Sequence, residues 1–368
     1  MTIDLLYQLA LTEVPHIGPV HAKILIQELG TAQNIFTARK QHLEKMEGIG
    51  EVRAKSIKAF TDFSAAEKEI RFMEKYKITP LFITDKAYPQ RLLNCYDSPT
   101  LLFYKGEGDL NVSKIISVVG TRSHSDYGKK MTEELVKDLA GQSITIVSGL
   151  AFGIDALAHK AANKYSLPTI GVMAHGLNQV YPAEHTRLAK EMIGKGGGLL
   201  TEFRSDTKPD KHHFPSRNRI VAGMSDATIV IETGVKGGSM ITAELANSYN
   251  KDVFAYPGKA TDVKSAGCNY LIKHNKAGLL TDAGGLLEMM GWNIPAKKSK
   301  ERKQRELFVE LTPDERVILD ILKEKETVHI DELNLQSNLS SSHVAAAILT
   351  LELQNIIQSL PGKLYRLY

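Results

Sequence analysis

The chain carries the segment HHFPSRNRIVAG at residues 212–223, and an apolar run, ATIVIE, follows it at residues 227–232. This run predicts a buried strand, because an apolar segment without polar alternation suits a parallel sheet that is covered on both faces. It leads into TGVKGGSMIT (233–242), a glycine-rich turn that opens a helix. A helix N-terminus presents free backbone N–H groups and the positive end of the helix dipole. With two arginines and a lysine close by in sequence, this place is predicted to hold phosphate groups.

Strands and helices alternate through the rest of this region, which predicts a doubly wound, Rossmann-like α/β sheet. In such a sheet ligands bind beyond the carboxyl ends of the strands. The dinucleotide fingerprint G-x-G-x-x-G is absent after the first of these strands, and no G-x-x-x-x-G-K-[ST] loop occurs, so neither NAD nor ATP is expected. Shorter strands are expected within 82–93 and 99–106. The main strands are predicted at 114–120, 145–148, 169–174, 198–203, 227–232 and 252–256.

Composition narrows the class of protein. The 368 residues include 46 Lys and Arg against 42 Asp and Glu, a formal charge of only +4, which by itself does not indicate nucleic-acid binding. Two or three domains are expected from the length. Cys95 and Cys268 stand far apart without a Cys-x-x-Cys pattern, which predicts a reduced cytoplasmic protein with no metal site. No apolar run approaches a membrane span, so no membrane association and no cofactor are expected.

Residues 1–80 contain two similar hinges, VPHIGPVHAKIL at 14–25 and MEGIGEVRAKSI at 46–57. Gly18 and Gly50 occupy equivalent positions, each after an isoleucine and each before a helical pattern. A glycine turn of this kind exposes backbone N–H groups to a phosphate. The pattern resembles a tandem helix-hairpin-helix domain, which grips the DNA backbone. The alternative is a pair of helix–helix connections that serve packing alone.

The C-terminal part is predicted to be a separate domain behind a linker. Residues 292–306 are rich in lysine and arginine and predict a basic linker. Residues 307–368 predict three helices and a β-hairpin that turns at Pro361-Gly362, an arrangement that resembles a winged helix. The third helix, at 340–354, contains serines and His343 but no lysine or arginine. A protein contact or weak DNA binding therefore stands beside sequence-specific DNA reading.

Several motifs in the region 81–291 resemble the DprA (Smf) family of DNA-processing proteins. That resemblance implies an extended Rossmann-like domain that works as a homodimer and has no established catalytic activity. It also implies that the protein protects incoming single-stranded DNA during natural transformation and loads the RecA recombinase on it. The motifs are GTRSHSDYG at 120–128, SGLAFGIDALAH at 148–159, FPSRNRIVAG at 214–223, GGSMITA at 237–243 and VFAYPG at 253–258.

The resemblance also implies a role for individual residues. Arg122 is expected to be a main phosphate-binding arginine in a groove shaped by glycines, and the arginines of the segment 214–223 are expected to line or brace that groove. The start of the helix after Gly237 is expected to supply backbone and hydroxyl contacts. The candidate single-stranded DNA site comprises Gly120, Arg122, Ser148, Gly149, Phe214, Arg217, Asn218, Arg219, Lys236, Gly237, Gly238 and Ser239.

The two later arginines have a second interpretation. Arg217 and Arg219 are also candidates for buried partners of Glu232 or Asp155, in which case they hold loops together. The apolar neighbours of Arg217 favour partial burial. Asp155 is expected to cap the helix that follows it, since Asp at a helix start satisfies free N–H groups.

Four further side chains are open to more than one interpretation. His159 is expected to pack against its neighbours and not to act as a catalyst. Phe152, Phe203 and Phe214 are each candidates either for stacking on bases or for the hydrophobic core.

Two other functions remain open from the sequence. The Gly-Gly-Ser-x-x-Thr turn is similar to that of nucleoside-monophosphate phosphoribohydrolases, which use a glutamate, and Glu244 stands two residues beyond Thr242. The second alternative function is that of a sequence-specific repressor, which would bind DNA through the winged helix.

Apolar residues between 239 and 290 predict a twofold contact between two copies of the chain. They are Met240, Leu271, Ile272, Leu286, Leu287, Met289 and Met290.

Overall fold

A computed structural model describes residues 3–292, 311–325, 327–354 and 356–368. The described residues fall into two compact units, Met1–Leu280 and Thr281–Tyr368. The predicted N-terminal domain lies in the same compact unit as most of the predicted central domain. The predicted basic linker at 292–306 lies outside the described residues except for Trp292. None of the helices in the described ranges is long and apolar enough to cross a membrane.

The N-terminal part is helical, as predicted. Gly48 and Gly50 have positive φ angles of 77° and 65°, a conformation that glycine adopts without steric cost, and they turn the chain into a helix. Gly18 precedes another helix, whose first residue is Pro19. The rings of Tyr7, Phe36, Phe60 and Phe63 pack against one another between these helices. The helices are α1 (Ile3–Leu11), α2 (Pro19–Leu29), α3 (Ala32–Thr37), α4 (Lys40–Lys45), α5 (Gly50–Ala59) and α6 (Ser64–Tyr76).

A sheet of nine strands, counted over the described residues, forms the centre of the first unit. Its order is β1-β2-β6-β5-β4-β3-β7-β8-β9; β1 and β2 run antiparallel to their neighbours and the other pairs are parallel. The six main strands predicted from apolar runs are confirmed. The strands are β1 (Thr79–Phe82), β2 (Leu101–Gly106), β3 (Ile115–Val119), β4 (Thr145–Ser148), β5 (Thr169–Val172), β6 (Gly198–Thr201), β7 (Ala227–Val230), β8 (Asp252–Ala255) and β9 (Gly278–Leu279).

Of the shorter strands, the one within 99–106 is confirmed as β2, and the one within 82–93 is wrong. β1 ends at Phe82, and the segment continues into the short helix α7 (Gln90–Leu93). The side chain of Asn111 accepts a hydrogen bond from the Gln90 backbone N–H at 2.8 Å. This contact satisfies a free donor at the helix start, which the local sequence pattern did not predict.

The chain order places a topological switch between β3 and β7. From β3 the chain builds outward through β4, β5 and β6 and then returns to the other side of β3 with β7. The connections after β3 and β7 therefore diverge and leave a crevice at the carboxyl end of the sheet. The covering helices are α8 (Asp126–Asp138), α9 (Ile154–Lys164), α10 (Thr186–Gly194), α11 (His213–Gly223), α12 (Gly238–Ser248) and α13 (Ala266–Lys273).

Buried polar contacts tie the N-terminal helices to the sheet. The carboxylate of Glu69, which is 2% exposed, accepts hydrogen bonds from the backbone N–H and the hydroxyl of Ser205 at 3.0 and 2.6 Å. Arg204 forms an ion pair with Glu13 and donates to the carbonyl of Ala65. The helical part and the sheet therefore form a single folded body.

The second unit has the predicted winged-helix arrangement. Thr312 and Glu315 form a reciprocal capping box at the start of its first long helix. Within the described residues its small sheet has three strands in the order β10-β12-β11, and the hairpin turns at Gly362. The elements are α14 (Ala283–Met289), α15 (Pro313–Glu324), β10 (Val328–His329), α16 (Ile330–Gln336), α17 (Ser341–Leu353), β11 (Ile357–Leu360) and β12 (Leu364–Leu367).

Most side chains predicted to form a contact between two copies are part of the chain's own core. Met289 is 39% exposed and Ile272 is half-buried. The buried side chains stabilise this fold and are not available to a second copy, so the choice of these residues is wrong. The apolar runs that suggested a contact are the inner faces of α12, α13 and α14. The buried side chains are Met240, Leu271, Leu286, Leu287 and Met290.

Candidate nucleic-acid interface

A cleft of about 550 Å³ lies at the carboxyl end of the sheet, where the connections after β3 and β7 diverge. The loops after β3, β4 and β7 form its walls together with the first turns of α11 and α12. Nine of the twelve predicted site residues line it. They are Gly120, Arg122, Gly149, Phe214, Arg217, Asn218, Gly237, Gly238 and Ser239.

Arg122 is an exposed cation of the cleft. It lies on the loop after β3, and its guanidinium carbon is 5.2 Å from the centre of the Phe214 ring. This cation–π contact orients the guanidinium without using its N–H donors. No carboxylate in the described ranges forms an ion pair with Arg122. The guanidinium is therefore available to an external anion such as phosphate, which it can bind with two parallel hydrogen bonds.

Arg217 has a different environment, although it also borders the cleft. Its side chain is only 4% exposed, as the sequence predicted, and its Nη1 donates hydrogen bonds to the carbonyls of Gly149 and Val172. Burial lowers the pKa of Arg217 to about 10, and the charge of Asp155 opposes this shift. The guanidinium stays protonated at neutral pH and braces the loop after β4.

Asp155 contributes to the same brace and does not cap its helix from the N-cap position. Gly153 is the N-cap residue of α9, and Asp155 is the second residue of that helix. Its carboxylate accepts hydrogen bonds from the backbone N–H groups of Gly149 at 3.1 Å and Ala151 at 3.4 Å. Burial raises the pKa of Asp155, while the Arg217 charge lowers it. As predicted, the Asp155 carboxylate accepts hydrogen bonds from backbone N–H groups. These groups belong to the loop before α9 and not to the helix itself.

Arg219 turns away from the cleft. Residues two positions apart on a helix do not face the same side, so Arg217 and Arg219 of α11 have different surroundings. Arg219 forms an ion pair with Glu202 and donates to the carbonyl of Asp97. Glu232, the partner considered from the sequence, instead accepts hydrogen bonds from the backbone N–H and hydroxyl of Ser125 at 2.8 and 2.6 Å. The predicted pairing of Arg217 or Arg219 with Glu232 is therefore wrong.

The start of α12 presents hydrogen-bond donors to the cleft. Gly237 is its N-cap residue, and the helix runs for 11 residues, so its first turn carries free N–H groups and a positive dipole end. Ser239 is 7% exposed, and its hydroxyl oxygen has no hydrogen-bond partner among the described residues. A buried polar group without a partner is uncommon, and here it lines the cleft. These donors suit a bound anion.

Two other predicted residues do not line the cleft. Ser148 is fully buried, and its hydroxyl donates to the carbonyl of Val118 at 2.7 Å, which fixes β4 against β3 beneath the cleft. Lys236 is exposed on the loop after β7, beside lining residues Gly234 and Gly237. Lys211 is a lining residue that the sequence analysis missed, and it is exposed. Its position directly before the segment 212–223 was the available signal.

The three phenylalanines differ in their surroundings. Phe214 is half-buried, and its ring lies 6.2 Å from that of Tyr181, which is 51% exposed. Phe152 is 45% exposed on the loop after β4. Phe203 packs against the ring of His213 at 4.4 Å. Phe214 and Phe152 can therefore meet a base, whereas Phe203 serves packing.

His159 is a packing residue, as expected. It is fully buried, and its Nδ1 lies 2.7 Å from the hydroxyl oxygen of Thr169. Burial lowers the pKa of His159 from 6.5 to about 3, with smaller contributions from the charges of His185 and Arg217. The imidazole is neutral in the folded protein throughout the physiological range.

This shift predicts a sensitivity to acid. In the unfolded chain His159 is protonated below about pH 6.5, whereas in the folded protein its pKa is about 3. The free energy of unfolding therefore falls as the pH decreases from 6.5 towards 3. His159 is expected to lower the free energy of unfolding by about 2 kcal/mol when the pH is lowered from about 7 to about 5. Urea unfolding of the parent and of His159→Gln at both pH values measures it. An equal acid-induced loss in both proteins would contradict the assignment.

The fold and the cleft define a class: a doubly wound α/β protein with a crevice at its switch point that presents an arginine and helix N-terminal donors, in a chain that also has helical-hairpin and winged-helix parts. The chain belongs to the DNA recombination-mediator protein A family, which it matches over residues 79–291. Residues 302–363 match the DprA winged helix domain, and residues 6–70 match a helix-hairpin-helix motif.

Two relatives match nearly all and about three fifths of the chain, respectively. Protein Smf of Synechocystis sp. is 31% identical over 98% of this chain and 98% of its own length. DNA processing protein DprA of Streptococcus pneumoniae is 39% identical over 61% of this chain and 84% of its own length. The X-ray structure of the pneumococcal protein superposes with a TM-score of 0.65 at 33% identity, covering 78% of this chain and 98% of that one.

A second solved structure concerns DNA processing protein A of Helicobacter pylori. It superposes with a TM-score of 0.52 at 29% identity and covers 58% of this chain and 94% of that one. That structure is described as giving insight into a unique single-stranded DNA binding mode of the Helicobacter protein.

Proposed function

We propose that this protein binds single-stranded DNA in the cleft at the carboxyl end of its sheet. The observation that carries the proposal is Arg122, an exposed guanidinium without a carboxylate partner in the described ranges, held over Phe214 at 5.2 Å. A cation beside an aromatic ring matches a phosphate beside a base. The single-stranded DNA binding mode described for the Helicobacter pylori relative supports the same ligand.

Each part of the cleft has a separate task in this proposal. Arg122 binds a phosphate, and the first turn of α12 with Ser239 binds the same or the next one through N–H and hydroxyl donors. The Phe214 ring stacks on a base, which an unpaired strand exposes and a duplex conceals. Arg217 does not contact the strand directly but keeps the loop after β4 in place. The site therefore prefers single strands without reading their sequence.

The protein is further proposed to protect incoming strands and to load the RecA recombinase on them, acting in the cytoplasm as a homodimer. Family membership supports these steps.

In the winged helix, α17 carries no lysine or arginine, and Leu349 and Leu353 on it are 58% and 74% exposed. A helix with exposed leucines and no basic residue suits a protein contact better than DNA, which is bound mainly through its phosphates. RecA activity on strands coated with single-stranded DNA-binding protein, with and without this protein, tests the loading step.

The phosphoribohydrolase alternative is not favoured. Glu244, its candidate catalytic glutamate, is exposed, lies 3.9 Å from the Lys276 amine and does not line the cleft. The carboxylate that does line the cleft among the described residues is Asp155, and it is occupied by backbone N–H groups. A general acid or base must reach the bond that it cleaves, and neither group is free to do so.

The test is a fluorescence-anisotropy titration of labelled oligo-dT at several salt concentrations, with duplex of equal length and an AMP hydrolysis assay in parallel. We expect tighter binding of the single strand and a linear fall of log affinity with log salt, because bound phosphates release counterions. Equal affinity for the duplex, or no response to salt, would reject the proposal.

A further inference from the structure

We propose that a second pocket, on the other side of Arg122 from the main cleft, is an additional nucleotide subsite into which the bound strand continues. It would hold one base against Phe152 and a phosphate near Lys160. This inference rests on the proposed function, because it extends the path of the same strand. We call this pocket the α9 pocket; it is lined by Arg122, Ser123, His124, Phe152, Gly153, Ala156, Leu157, Lys160 and His185.

The α9 pocket adjoins the main cleft at Arg122. It has a volume of about 390 Å³, and Arg122 lines both spaces. A narrow recess of about 30 Å³ between them is bordered by Arg122, Phe152 and Phe214 together. A strand whose phosphate lies on Arg122 therefore has an aromatic ring on either side of it, Phe214 in the cleft and Phe152 in the α9 pocket.

Phe152 is held in place although it is exposed. Its ring meets the ring of His185 edge-on at 5.0 Å, and the Nδ1 of that histidine lies 2.9 Å from the Leu150 carbonyl oxygen. The next residue, Gly153, has a φ angle of 81°, and a Cβ there would lie 2.1 Å from the Thr121 carbonyl oxygen. The loop after β4 thus packs tightly on the loop after β3, which fixes Phe152 beside Arg122.

The contact with His185 leaves much of the Phe152 side chain exposed. Phe152 keeps 45% of its surface open, while His185 behind it is 6% exposed. Apolar surface that is held rigid at the edge of a cationic groove offers a face for stacking, and stacking tolerates any base. The occupant that fits is a nucleotide of the strand that already crosses Arg122.

The charge of the α9 pocket matches a phosphate. Lys160 lies on α9 and is exposed, and no acid in the described ranges forms an ion pair with it. None of the described residues that line the pocket is acidic. Arg122 and Lys160 therefore make the lining of the α9 pocket basic, and Phe152 belongs to the same lining. Phosphates on both sides of one stacked base would neutralise it.

The experiment measures affinity for oligo-dT of increasing length, roughly 4 to 16 nucleotides, in the full chain. For strands long enough to span both pockets, we expect Phe152→Ala and Lys160→Ala each to weaken binding by about tenfold. The shortest strands that fill the main cleft bind these variants like the parent. Arg122→Ala weakens binding at every length. Lys137→Ala, which removes an exposed lysine of α8 outside both pockets, serves as the charge control.

Phe152→Trp distinguishes stacking from a general effect on the loop. It should restore the affinity lost in Phe152→Ala, and its fluorescence should be quenched by long strands but not by the shortest, against the background of the single native tryptophan. Affinities of Phe152→Ala and Lys160→Ala equal to the parent at every length would overturn the subsite and leave the main cleft intact. A parent that binds no single strand would instead reject the proposed function itself.

Discussion

Replacing Arg122 with alanine is expected to lower the affinity for oligo-dT by about tenfold to a hundredfold without changing the melting temperature. Its guanidinium is exposed and has no carboxylate partner in the described ranges, so folding does not depend on it. A charge-assisted contact to phosphate contributes about 1.5–3 kcal/mol, which corresponds to that loss of affinity. Anisotropy titration and a thermal melt of the same preparation measure both quantities.

Arg71→Ala is the matched control, since it removes an exposed arginine from α6, which is distant in sequence from the cleft loops and does not line the cleft. It should bind and melt like the parent. If Arg122→Ala melted several degrees lower and bound like the parent, Arg122 would be a structural residue. The strand would then have to be placed nearer to Lys211 and Lys236.

Replacing Arg217 with alanine is expected, unlike the Arg122 substitution, to cause a large loss of stability. The substitution leaves the buried carboxylate of Asp155 without its compensating charge and leaves the carbonyls of Gly149 and Val172 without their donor. Removing one partner of a buried charged pair costs about 3–5 kcal/mol. For a unit of this size the melting temperature should fall by on the order of 10 °C. DNA affinity falls as well, because the loop after β4 loses its brace.

Two glycine substitutions provide a control for this interpretation. A Cβ at Gly149 would lie 2.4 Å from the Nη1 of Arg217, which its two carbonyl partners hold in place, so Gly149→Ala should destabilise the protein by about 1–3 kcal/mol. A Cβ at Gly238 meets no atom within 4 Å, so Gly238→Ala should leave the melting temperature unchanged. A stable Arg217→Ala protein, or equal effects of the two glycine substitutions, would contradict the bracing role.

The sheet was predictable because each of its central strands is buried on both faces. Burial on both faces requires an uninterrupted apolar run, and such runs are visible in a single sequence. The cleft was predictable for a related reason, since loops that follow parallel strands converge at one edge. The short helix α7 was not predictable, because its first N–H group is satisfied by Asn111, which is distant in sequence.

The direction of individual side chains was harder to predict than their position in the chain. Arg217 and Arg219 stand in the same motif, yet one braces the cleft and the other pairs with Glu202 on the far side of α11. The local sequence does not reveal which carboxylate lies opposite an arginine in the folded chain. The α9 pocket was missed for the same reason: Phe152 and Lys160 belong to different local patterns and meet Arg122 only in the fold.

The most direct test of the cleft as the DNA site is photocrosslinking of an oligo-dT that contains 5-iododeoxyuridine, followed by mass spectrometry of the crosslinked peptides. The cleft predicts crosslinks within residues 120–124, 149–153 and 211–219, and their loss on competition with unlabelled single strand. Crosslinks confined to the helical hairpins at 14–25 and 46–57, or to α17 of the winged helix, would contradict it.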